Sequence, residues 1–298
     1  MELIWIPIAM TAGLCQAMRT AAQKALNAHL STWMTTYLRS LIGLPFMVMY
    51  LFAMIWWEGR VLPPITSAFL AFSVGTAVAQ VLGTYLLIRL FTMSNFAVGT
   101  MLTKTDVMMA AIIGTVFFSE TVTGTGWIAI TLTVLGVALL SVRRSGNLGG
   151  TVTVGPVLVG LASALMLCLS YLCLREASLV LGEGSLIWRA AWTMTVVTAI
   201  QTVGLGIWML TQATERPQFA LLPKLKRPVL FVGLTSALGS IGWFTAMALE
   251  NASYVKAVGQ VEVIFTVLIS TYYFREQIRP IEFAGIATIV AAVLLFVL

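Results

Sequence analysis

Charge is scarce in this sequence: Asp, Glu, Lys and Arg make up 9% of its 298 residues, against 59% for the hydrophobic types. A soluble domain carries about 25% charged residues. This chain has too few to cover a water-facing surface, so lipid must solvate most of it. A mean hydropathy of +0.97 agrees, and soluble-enzyme and nucleic-acid functions are excluded. Histidine is nearly absent: His29 falls at a predicted helix boundary, and no His-based metal or catalytic cluster can be assembled around it. Cysteine is rare too. Cys15, Cys168 and Cys173 are odd in number, lie in hydrophobic runs and match no metal-site spacing, so they read as small buried hydrophobes. No cofactor and no metal are expected. The N-terminus, Met-Glu-Leu-Ile-Trp, lacks the positive segment of a cleavable signal peptide and is expected to open the first span.

What the chain does have is apolar runs of roughly 20 residues, each long enough to cross a ~30 Å hydrocarbon core. Punctuation at charged, Gly and Pro clusters predicts an all-α membrane protein with ten transmembrane helices, at about 3–25, 31–56, 66–90, 95–118, 124–142, 155–175, 186–210, 228–249, 253–274 and 280–298. Pro7, Pro156, Pro228 and Pro280 sit near span starts, where a missing N–H costs nothing. Pro45 lies deep in the second span and predicts a kink. Trp5, Trp56, Trp57, Trp127 and Trp208, near span ends, read as interfacial anchors.

Residues 146–154 have a linker's composition and divide the chain into 1–145 and 155–298. The halves repeat. An offset of 156 residues aligns Asn95 with Asn251, Asp106 with Glu262, Phe118 with Phe274, Glu120 with Glu276, and Trp127 with Phe283. An offset of 150 aligns Arg39 with Arg189. Five spans per half is an odd number, so the two five-helix repeats are expected to cross the membrane in opposite senses, the architecture of many secondary transporters. Positive charge crowds the connections after odd-numbered spans, at Arg143, Arg144, Arg216, Lys224, Lys226, Arg227, Arg275 and Arg279, against mainly Arg60 and Arg175 on the other side. The positive-inside rule therefore places both termini outside the cytoplasm.

The repeat resembles the drug/metabolite transporter superfamily, in particular its ten-helix EamA-like bacterial exporters. Asp106 through Ser119-Glu120 and Glu262 through Arg275-Glu276 are similar to that family's acidic residue, apolar run and closing Glu. Arg39 and Arg189 are similar to its second-helix Arg. The sequence departs from the pattern at Val107 and Val263, where the family often has Pro, and in having only Glu2 as an acid near the first helix. The resemblance implies export of amino acids, possibly aromatic, and related metabolites across a cell inner membrane. It also implies cytoplasmic termini, opposite to the charge distribution.

Ionisable groups in mid-membrane cost roughly 2.5–3.5 kcal/mol each on insertion scales, so each needs a reason. Arg39, Lys104, Asp106 and Glu262 lie deepest, with Arg189 and Lys256 closer to span ends. One acid and one Arg per half point to pairs Asp106–Arg39 and Glu262–Arg189, serving either helix register or proton coupling and substrate contact. Lys104, on a stripe with Thr103 and Met108, suits a substrate carboxylate or else snorkels; Gln260 is its counterpart in the repeat. Stripes through Gln16, through Tyr171, and through Ser240 and Trp243 contain small residues that favour close packing, while their large polar members suit a cavity wall.

The expected function is a multi-pass secondary transporter exporting small metabolites by alternating access. Its partners are a small-molecule substrate and the lipid bilayer, with no nucleic acid, and it is expected as a monomer or weak homodimer. Export or import of other small solutes or drugs is the alternative. A membrane-embedded enzyme is disfavoured, because no convergent nucleophile, metal cluster or acid–base pair is present.

Overall fold

In lipid every backbone N–H and C=O must be satisfied within the chain, and continuous apolar segments do this as helices. The computed structural model describes residues 3–59, 62–93, 105–117, 121–141, 154–265 and 280–295, and among them there is no β-strand. The helices in chain order are α1 (Trp5–Leu26), α2 (Thr32–Glu58), α3 (Ser67–Met93), α4 (Asp106–Phe117) and α5 (Gly124–Ser141). Then follow α6 (Val154–Val180), α7 (Leu186–Thr211), α8 (Lys226–Leu249), α9 (Ala252–Gly259) and α10 (Pro280–Leu295), with a 3-10 segment, Arg216–Leu225, before α8. Residues 261–265 are helical again after a turn at Gln260.

Five stretches are long and apolar enough to cross a membrane: Thr32–Glu58, Ser67–Leu90, Gly155–Val180, Leu186–Thr211 and Arg216–Leu249. Among the described residues, five of the ten expected spans reach that measure. The first helix is 22 residues long, but Gln16, Arg19, Gln23 and Lys24 dilute its hydropathy. The ninth is not the single helix expected over 253–274, because it breaks at Gln260. The described part of the fourth begins only at Asp106, after a turn at Thr105. Pro45 lies inside α2, which continues through it.

Helix pairing follows a swap rule. The most extensive contacts are α3 with α6, α1 with α8, α5 with α10 and α2 with α7. Exchanging α1–α5 for α6–α10 maps this set onto itself. The second helices of the two halves also begin alike. Ser31 caps α2 by accepting from the Met34 N–H at 3.0 Å, and Ser185 caps α7 by accepting from the Trp188 N–H at 3.1 Å. Each capping hydroxyl then donates to a carboxylate at the far end of the other helix: Ser31 to Glu215, beyond the end of α7, and Ser185 to Glu58, at the end of α2. Start meets end at both extremities. The helices α2 and α7 therefore run antiparallel.

Large apolar side chains are exposed on the outside of the bundle, and several polar and charged ones are buried within it. Phe52, Trp56, Trp57, Leu158 and Ile207 are exposed, whereas Arg19, Gln23, Asp106, Gln201, Lys256, Gln260 and Glu262 are buried. This is the arrangement lipid demands. Of the expected anchors, Trp56 and Trp57 are exposed, but Trp5 is 4% exposed and packs in the core with Ala9, Phe244 and Met247. Its ring is covered because the start of α1 lies against α8. Cys15 and Cys168 are buried and Cys173 half-buried, and they form no disulfide among the described residues.

Candidate functional site

Two acids open two helices in the interior. Asp106 is in the first turn of α4 and Glu262 in the first turn of the segment that restarts at 261. A helix N-terminus carries partial positive charge, so a carboxylate is favourably placed there.

Asp106 is 3% exposed, and its Oδ2 lies 3.3 Å from Nζ of Lys256 on α9. The ammonium is covered by two rings, with Nζ 5.0 Å from the Tyr171 centroid and 4.7 Å from that of Trp243. Within about 6 Å of an aromatic face a cation is attracted by the ring quadrupole. Lys256 is thus stabilised by one carboxylate and two π-faces, from α4, α6 and α8. The Tyr171 hydroxyl donates to the Asp106 carbonyl at 3.0 Å, which fixes the ring over the pair. Polar capacity is left over. Asp106 Oδ1, Trp243 Nε1 and Gln260 Oε1 are buried with no hydrogen-bond partner among the described residues.

Glu262 accepts from Gln16 Nε2 of α1 at 2.9 Å. Arg19, one turn further along α1, is 7% exposed and within electrostatic reach of Glu262. Its Nε finds no hydrogen-bond partner among the described residues. Glycine brings these elements together. A Cβ at Gly13 would lie 2.9 Å from the Gly259 carbonyl oxygen and 3.4 Å from Glu262, so only glycine lets α1 approach the break in the ninth span. A Cβ at Gly259 would lie 2.0 Å from the Trp243 ring. Gly259 thereby joins the aromatic cover of Lys256 to the Gln16–Glu262 bond. The swap rule holds here too: Asp106 faces the first helix of the second half at Tyr171, and Glu262 faces the first helix of the first half at Gln16.

Besides Asp106, Glu262 and Lys256, four further residues singled out by sequence, Gln16, Tyr171, Trp243 and Gln260, fall in this region. Ser240 is buried beside Gly239, whose position faces Cys15 of α1. Met108 is half-buried and packs against Val107, Ala111, Ile130 and Ala257. Thr103 and Lys104 lie outside the described residues. The expected ion pairs are replaced. Arg39 donates to Thr84 at 3.1 Å rather than to Asp106, and the Nε of Arg189 has no partner among the described residues. The cause is packing: α2 and α7 lie against each other, α3 and α8, whereas α4 and α9 pack against each other and on α6 and α1. Each acid finds its partner in the other half or across the break. Arg19 escapes a reading by depth alone, although Gln16, Arg19 and Gln23 share a helical face that signals it. Lys256, near a span end by sequence, is 7% exposed.

A solved crystal structure is similar to this chain over 100% of its length and 99% of the other's, with a TM-score of 0.72 and 12% identity, which establishes a shared fold. A search of curated protein sequences finds no match. The profile of the EamA-like transporter family matches twice, over residues 3–142 and 154–298. Two copies of one unit thus account for nearly the whole chain, as the aligned acids and the exchanged helix pairings require. This integral membrane protein belongs to the EamA-like transporter family, a family of membrane transporters of small solutes.

Proposed function

We propose that the protein is a multi-pass inner-membrane secondary transporter that exports amino acids, aromatic ones among them, and related small metabolites by alternating access of two inverted halves. The observation that carries this reading is a buried, charged cluster at the junction of the halves, with Asp106 and Glu262 each satisfied by the opposite half. Ionisable groups inside a membrane protein mark solute or ion pathways, and this cluster is assembled only when the halves meet. The antiparallel course of α2 and α7 supports an inverted relation between them. The broken ninth span supports it as well, since discontinuous helices form the midplane sites of many transporters.

Gln16, Tyr171, Trp243, Ser240 and Gln260 are assigned to the solute pathway, with Met108 at its wall and Thr103 and Lys104 extending it. Arg39, which donates to Thr84 of α3, is assigned to helix register within the first half. The first helix carries a buried cation, Arg19, and no acid between Trp5 and Leu26, so flux is assigned to facilitated efflux down the solute's own gradient. The test is flux from proteoliposomes loaded with labelled amino acids and metabolites, with and without a pH gradient. Saturable release of amino acids, unchanged by the gradient, is expected. Turnover of a compound without its translocation would overturn the reading.

A further inference from the structure

The Asp106–Lys256 pair spans the two halves. Asp106 belongs to α4 in the first half and Lys256 to α9 in the second. Any motion that parts the halves at this point separates a buried carboxylate from a buried ammonium. Each would then stand in the membrane interior without a counter-charge, an arrangement far less stable than the closed pair. A solute that bound while the halves part would have to supply both missing charges.

We propose that the substrate is a zwitterion that inserts into this pair, its ammonium taking Asp106 and its carboxylate taking Lys256. The proposal rests on the carrier reading above and names the chemistry of its cargo. Inserting one small zwitterion replaces the single contact of 3.3 Å by two of about 3 Å each, separated by the solute's own ammonium-to-carboxylate span, so the two groups must part by more than one hydrogen-bond length. The pair is prepared for this. Asp106 meets Lys256 through Oδ2 alone, and Oδ1 is buried with no partner among the described residues. Lys256 keeps its two aromatic faces when the carboxylate leaves, so the ammonium is never bare. Gln260, one turn beyond Lys256, and Trp243 add an unused acceptor and an unused donor.

Charge is conserved through the exchange. One ion pair within the protein becomes two between protein and solute, the net charge of the site stays at zero, and no proton is taken up or released. A solute with only a carboxylate would leave Asp106 stranded, and one with only an ammonium would strand Lys256. Sites that hydrogen-bond a substrate group reject analogues lacking it strongly, because the buried partner is left unpaired.

The test uses the full-length protein in proteoliposomes loaded with the twenty common L-amino acids, their N-acetyl derivatives, their carboxamides, and a panel of sugars and nucleosides. Efflux is read by mass spectrometry and corrected for protein-free vesicles. The free amino acids are expected to leave at least roughly tenfold faster than either blocked form, with the rates of those carrying no net charge unchanged when the membrane potential is clamped at different values. Asp106→Asn is expected to shift preference toward the N-acetyl anions, and Lys256→Gln toward the cationic carboxamides, a reciprocal switch that loss of a merely structural bridge does not produce. If either variant fails to fold, the comparison on the unsubstituted protein decides alone. Blocked forms moving within about twofold of the free amino acids, or flux of sugars or nucleosides only, overturns the zwitterion exchange and leaves the carrier reading standing. If nothing crosses, both fall.

Discussion

At the scale of single residues, Asp106 is the most consequential side chain. Replacing it with Ala leaves the Lys256 ammonium buried without its carboxylate, and breaking a buried pair in this way costs about 3–5 kcal/mol. Asp106→Ala is therefore expected to lower both yield and thermal stability in detergent. The double variant Asp106→Leu, Lys256→Met removes both charges and is expected to recover most of that loss. Thermal unfolding of the two variants side by side checks this, and an Asp106→Ala protein as stable as the parent would show that the pair carries no structural weight. Both acids stand out in the sequence because carboxylates are rare in apolar runs. Their partners do not. An intrabundle Arg is the nearest candidate by spacing, but Lys256 and Gln16 come from the other half, and which side chain arrives there is set by packing over more than a hundred residues of separation.

At the scale of elements, the break at Gly259–Gln260 organises the site. Gly259→Ala would drive a methyl into the Trp243 ring, and such overpacking typically costs about 1–3 kcal/mol. Gly13→Ala meets backbone, the Gly259 carbonyl oxygen at 2.9 Å, which cannot rotate away. Both are expected to destabilise. Gly43, in α2, is the opposite case: a methyl added there would meet nothing within 4 Å. Gly43→Ala is expected to stabilise by about 0.5–1 kcal/mol through helix propensity alone. Melting temperatures of the three variants test the contrast in sign, and a stabilising Gly259→Ala would remove the close approach from the account. The stripe through Gln16 and that through Ser240 and Trp243 are ambiguous as sequence patterns, since small residues serve both packing and cavities. The structure divides the labour. Gly13, Gly239 and Gly242 make close contacts between helices, while Gln16 and Trp243 on the same helices reach the acid and the lysine.

At the scale of the whole molecule, the proposed inversion predicts sidedness. His29 lies in the exposed turn before α2, and Glu183 in the exposed turn before α7. Because α2 and α7 are antiparallel, these turns lie at opposite ends of the pair. In a protein with Cys15, Cys168 and Cys173 replaced by Ala, His29→Cys and Glu183→Cys are expected to react with an impermeant thiol reagent from opposite sides of sealed vesicles. Labelling of both from one side would refute the inverted arrangement, and the side on which His29→Cys reacts also resolves the conflict between charge distribution and family resemblance over the termini.

Composition alone determined that the chain lives in lipid, because 9% charge cannot solvate 298 residues. Self-similarity alone determined that it is built from two units, because offsets between matching residues need no coordinates. Only the tertiary structure decided which buried charges meet. In a membrane interior each ionisable group must find a counter-charge or a polar partner, but helical periodicity specifies only the face on which a group sits. The partner on that face depends on which helix packs there, and here the packing joins one half to the other.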